Sequence, residues 1–154
     1  MIVQPAGVGY MHPVSPEEVR ERVLQLPEQF QRDLDVVQFS RMTRKRRLFP
    51  CYGLQWGSTV YLYPIEESLE EVYVRVPRPA QRIETEMFGG RWIQDGKFWR
   101  LVWTENTIRD FYLNNVLIHE IGHIHDHRNT SFRNRERFAD WFAIEYGYRA
   151  SRGR

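Results

Sequence analysis

The sequence predicts an α+β protein: an N-terminal helix, a twisted and mostly antiparallel sheet, and two C-terminal helices. Three observations carry this expectation. A fully signalled helix start stands at Ser15-Pro16-Glu17-Glu18. Short runs of strand-forming residues, punctuated by Gly, Pro and Asp, fill the stretch from Val36 to Trp103. From Thr104 to Gly147 the apolar residues recur at helical spacing instead. The chain of 154 residues is long enough for one domain with a real core. Its 42% hydrophobic and 14% aromatic content excludes a disordered chain.

Residues 1–14 contain Pro5, Gly7, Gly9 and Pro13 and read as an irregular arm, with His12 an ordinary loop histidine. Ser15 then supplies an N-cap, Pro16 the first helical position and Glu18 the third. Val19, Val23, Leu26 and Phe30 follow at helical spacing. Pro27 removes a backbone donor, so the helix should stop near residue 26, and a second short helix should run to about residue 34. Val36 to Met42 has strand character. Leu48 to Trp56 and Thr59 to Pro64 read as two strands joined at Gly57-Ser58.

Glu66 to Glu71 is turn-like, Val72 to Val76 alternates as a strand, and Pro77 and Pro79 break it. Residues 82–88, 91–95 and 97–103 read as a second strand-rich block with turns at Gly89-Gly90 and Asp95-Gly96. Trp92, Phe98, Trp99 and Trp103 crowd this block; they read as core and cross-strand packing, with an apolar substrate subsite as the sharper alternative. Thr104 or Asn106 can cap a helix running to about Asp126. A polar linker, residues 127–130, separates it from a last helix over 131–147. Gly147 is its stop, and residues 148–154 should fray.

The charge balance narrows the partners. A formal net charge of +2 does not support a global field for nucleic acid. Five basic residues in seven (Arg41, Arg44, Lys45, Arg46 and Arg47) form a local patch, read here as a solvated strand end or loop. Lys45 and Lys97 are the only lysines, an arginine excess attributed to compositional bias. Cys51 is the only cysteine, so an intramolecular disulfide is excluded, and it reads as a small buried strand residue. No run approaches 18 apolar residues, and Met1 to His12 lacks the pattern of a signal peptide. The expected location is cytoplasmic, with no membrane partner.

The chemistry concentrates in residues 117–140. His119-Glu120-Ile121-Gly122-His123 places two histidines four apart. On a helix that separates them by about 40° around the axis and roughly 6 Å along it. Two imidazoles so placed can chelate one Zn²⁺, and Glu120 beside them can act as general base on a bound water. Leu117, Ile118, Ile121 and Ile124 give the helix an apolar face, and Gly122 is expected to leave space beside the metal. Zinc needs a third protein ligand. Glu136 is the candidate, with His127 the alternative if the helix breaks before it. Asp140, four residues after Glu136, could hold a ligand imidazole through its free N–H. His125 points about 200° away from His123 and falls outside this site.

His119-Glu120-Ile121-Gly122-His123 followed by Glu136 and Asp140 resembles the gluzincin group of zinc metallopeptidases. The ending Arg135-Glu136-Arg137-Phe138-Ala139-Asp140-Trp141-Phe142-Ala143 resembles the small ImmA/IrrE-type peptidases and minimal gluzincins in particular. The resemblance covers residues 117–143. It implies a zincin-like fold, one Zn²⁺ per chain on His119, His123 and Glu136, Glu120 as general base and Asp140 as the group orienting a ligand imidazole. The implied activity is hydrolysis of a peptide or protein substrate, bound by strand addition within residues 97–103 or 59–64. The family's oxyanion-stabilising side chain has Tyr146, His127 and Tyr112 as candidates here. The rival readings are a non-catalytic zinc domain that binds a partner, a nucleic-acid binder using the basic run, and a hydrolase of non-peptide amides.

Overall fold

The start signalled at Ser15 forms a complete capping box. Ser15 Oγ accepts the Glu18 amide at 3.1 Å, and Glu18 Oε1 accepts the Ser15 amide at 2.9 Å. In the computed structural model, which describes residues 1–153, helix α1 covers Pro16–Leu24 and α2 covers Glu28–Gln31, with Pro27 between them. The break falls where the proline predicts. The α+β class also holds: helices and strands are both plentiful.

The strands form three sheets. The largest contains β1 (Ile2–Val3), β3 (Val36–Phe39), β4 (Gly53–Trp56) and β5 (Thr59–Leu62), in the order β1-β3-β5-β4. Strand β2 (Tyr10–Met11) pairs with β6 (Ile65–Glu66). Strands β7 (Glu70–Tyr73), β8 (Arg91–Asp95) and β9 (Phe98–Val102) form an antiparallel sheet in the order β7-β9-β8. Gly57 and Gly96 sit at the two hairpin turns with positive φ, 60° and 62°.

Several expectations need correction. The largest sheet is not mostly antiparallel: β1–β3 and β3–β5 are parallel, and only β4–β5 is antiparallel. Alternation shows which face is buried but carries no direction. Residues 1–14 are not merely an irregular arm, because they contribute β1 and β2. Residues 82–88 are not a strand. Helix α4 spans Pro79–Met87, with proline at the helix start followed by Ala80, Gln81 and Arg82, all good helix formers. The basic run is neither strand end nor loop: α3 covers Arg44–Leu48, and Thr43 Oγ1 caps it on the Arg46 amide at 3.2 Å.

The C-terminal third begins with α5 (Glu105–Phe111), which passes through a π turn at Tyr112–Val116 into α6 (Leu117–Ile124). The Leu117 amide donates to the Tyr112 carbonyl, five residues back. Helix α7 (Phe132–Ala143) ends in a second π stretch, Ile144–Arg149. Residues 148–153 do not simply fray. Tyr148 packs on the core, and Arg152 pairs with Asp110 at 2.9 Å. Arg154 lies outside the described residues.

The core lies between the largest sheet and α6. Val37, Phe39, Val60 and Leu62 come from one face of β3 and β5 and meet Leu117, Ile118 and Ile121 of the helix. Among the described residues no helix is long and apolar enough to cross a membrane.

Candidate metal centre

Helices α6 and α7 pack closely, and glycine is what permits it. A Cβ on Gly122 would stand 3.0–3.1 Å from three atoms of the Phe142 side chain. The glycine therefore makes room for α7, not for a metal. A Cβ on Gly147 would collide with the Asn114 carbonyl oxygen, so the second π stretch presses on the first in the same way.

This approach brings Glu136 over the histidines. His119 Nε2 lies 3.4 Å from Glu136 Oε1, and His123 Nε2 lies 2.7 Å from Glu136 Oε2. The two rings stand 4.9 Å apart at 85°. His119 Nδ1 lies 3.2 Å from Asp140 Oδ1, on the opposite side of the ring from Glu136. Glu136 therefore faces both histidines, and Asp140 faces His119. Glu120, only 8% exposed, completes a group with His119 and His123 whose ligating atoms lie within 4.8 Å of one another.

The electrostatics fit a cation. Burial alone would push the His119 imidazolium toward neutrality, but the Asp140 and Glu136 carboxylates outweigh it and raise its pKa to about 10. Hydrogen bonds from His119 and His123 hold the Glu136 carboxyl well below the usual carboxylate range. Burial raises Glu120, against the pull of both imidazoles. Two imidazole nitrogens and a carboxylate converging in this way could hold a metal ion. His123 Nδ1 is buried without a hydrogen-bond partner, so only His119 has its second nitrogen anchored.

Several neighbours were not anticipated. Glu84 of α4 contacts Asn115 Nδ2 at 3.1 Å, and its carboxyl feels the charges of His119, Asp140 and Glu136 after the larger effect of burial. Asn115 stands one helical turn before His119 and could have been suspected from spacing alone. Glu84 was hidden by the strand expected at 82–88. Gly53 of β4 is a third: a Cβ there would meet Val116 Cγ1 at 2.9 Å and Glu120 Cγ at 3.3 Å. Arg135 Nη2 reaches Gln55 Oε1 at 3.3 Å, so β4 runs alongside the cluster.

The remaining candidates lie elsewhere. His127 groups with Asp33 and His125. Tyr112 is buried and its hydroxyl donates to the Tyr63 carbonyl at 2.8 Å. Tyr146 packs against Phe30 and Phe142. Cys51 precedes β4 in a loop and accepts from Arg46 Nη1 at 2.9 Å. Burial raises its thiol pKa, partly offset by Arg46. Trp92 and Trp103 are core residues, Trp103 being stacked on Phe111 at 4.8 Å. Strands β5 and β9, which hold the two segments expected to bind substrate, are each paired on both sides. The strand with a free edge beside Glu120 is β4.

Fold and site together define an α+β protein with a His₂-carboxylate cluster at the crossing of two helices. No protein-family model matches the chain, and no curated protein or solved structure matches it.

Proposed function

We propose that the chain is a zinc-dependent peptidase of the gluzincin type, with a zincin-like arrangement of α6, α7 and the β4 edge. The observation that carries the reading is the convergence of His119 Nε2 and His123 Nε2 on the Glu136 carboxylate, with buried Glu120 in the same cluster. His119, His123 and Glu136 would hold one Zn²⁺. When bound, the ion supplies Lewis acidity toward a water and the scissile carbonyl.

The protein's own residues do the rest. Glu120, raised by burial, takes the proton of the attacking water and delivers it to the leaving amine. Asp140 orients His119 through Nδ1. An extended peptide adds to the free edge of β4, which packs against Glu120 at Gly53.

The test begins with metal content, measured by mass spectrometry on untagged protein. Zinc should be present in wild type and lost from the cluster in His123→Ala and in Glu136→Ala. Glu120→Gln should keep that zinc while peptide hydrolysis falls about 10²–10⁴-fold, the usual scale of a general base. Unchanged hydrolysis in Glu120→Gln would remove the catalytic reading and leave a zinc-binding partner module.

A further inference from the structure

A second group of side chains able to hold a metal lies at the C-terminal end of α6. Ligating atoms of Asp33, His125 and His127 fall within 4.8 Å of one another. They come from different parts of the chain. Asp33 lies between α2 and β3, while His125 and His127 lie in the segment joining α6 to α7.

The orientation of His125 carries the argument. Its Nε2 lies 3.0 Å from the Phe30 carbonyl oxygen. A carbonyl oxygen only accepts, so Nε2 carries the hydrogen and the Nδ1 lone pair of the neutral ring faces the cluster. A metal-ligating histidine is held this way, with one nitrogen tied to a backbone carbonyl and the other presented to the ion. The ring has little freedom to turn. It lies parallel to Phe142 at 6.2 Å and edge-on to Phe30 at 5.2 Å.

Asp33 Oδ2 stands 3.9 Å from His125 Nδ1. That is too long for a hydrogen bond and compatible with two ligands sharing one ion. The His127 ring stands nearly perpendicular to His125, at 84° with 6.3 Å between centroids.

We infer that Asp33, His125 and His127 form a second divalent-metal site. Two imidazole nitrogens and one carboxylate oxygen suit Zn²⁺, Ni²⁺ or Co²⁺ and disfavour Mg²⁺ and Ca²⁺, which take oxygen donors. Asp33 and His127 are both exposed and His125 is half-buried, so the ion keeps water on its outer side. Its role is to staple the Asp33 loop to the connection between α6 and α7. That connection sets where α7 begins, and so where Glu136 meets the first histidine pair. The site does not depend on peptidase chemistry.

The experiment is a zinc titration of untagged, chelator-stripped protein, read by calorimetry and by metal analysis after desalting. Four proteins are compared: wild type, His127→Ala, Asp33→Asn, and the double variant His119→Ala/His123→Ala. His127 and Asp33 are chosen because His125 is packed against aromatic rings, and circular dichroism checks each fold. Wild type should bind two ions at micromolar zinc. His127→Ala should bind one, Asp33→Asn should bind its second ion at least tenfold more weakly, and the double variant should retain one. One ion in wild type, lost in His127→Ala but kept in the double variant, would support this site and overturn the first. His127→Ala binding as many ions as wild type with equal affinity would overturn the second site. Should the double variant not fold, the first three proteins still decide.

Discussion

Asp140 and Glu71 show how much single carboxylates do here. Asp140 touches no candidate ligand except through His119 Nδ1, at 3.2 Å. Replacing it with asparagine should leave the fold intact and weaken zinc about 10–100-fold, read by competition with a chromogenic chelator. Glu71 sits far from this chemistry in sequence and in role. Its carboxylate accepts from Tyr52 at 2.8 Å, Trp103 at 2.9 Å and Tyr73 at 3.2 Å. Burial nonetheless outweighs these donors and lifts its pKa from the ordinary 4.5 to about 7. The native state therefore holds this proton more tightly than the unfolded chain does. Stability should fall as pH rises from about 4.5 to about 7 and level off above that. The loss attributable to Glu71 is about 3 kcal/mol. Urea unfolding of Glu71→Gln across that range should lack this slope, and the variant should be the more stable protein at pH 8.

At the scale of elements, β4 and α6 form one unit. The edge strand lies against the helix because residue 53 has no side chain to hold it away. Gly53→Ala would press on Val116 and on the Glu120 stem. Zinc content should be unchanged, while kcat falls toward the roughly hundredfold that a 1 Å misplacement costs. A variant with full kcat would show that β4 tolerates displacement without moving Glu120. The elements also show what was legible in the sequence. The start of α1 was, because a capping box is local chemistry, and so was the Asp95-Gly96 hairpin. Helix α4 was not: residues 82–88 read as part of a strand-rich block, and Pro79, which opens the helix, reads locally as a break. The four-residue spacing of His119 and His123 puts them on one helix face, and the fold brings Glu136 beside them. Glu84 and Gly53 were not legible, since their place depends on which helix and which strand fold onto α6.

Across the whole molecule, distant parts of the chain meet at one side chain. Arg22 of α1, 7% exposed, donates through Nε to Asn114 Oδ1 and through Nη2 to the Tyr146 carbonyl, both at 2.6 Å. Those partners lie 92 and 124 residues away in sequence, one in each π segment. Arg22→Ala should cost about 1–3 kcal/mol in urea unfolding through unpaired buried partners. The parallel pairing of β1 with β3 is equally long-range, and no local pattern in residues 1–14 announces it. The π turn between α5 and α6 has a consequence for chain length. One residue more than an α-helix needs is held there, so the long helix has slack at a single place. A one-residue deletion within Tyr112–Val116 can relax the turn to α geometry and keep both flanking faces in phase. The same deletion anywhere else between Glu105 and His119 would rotate the two histidines by about 100° away from Glu136. Length variation in this helix should therefore be confined to those five residues.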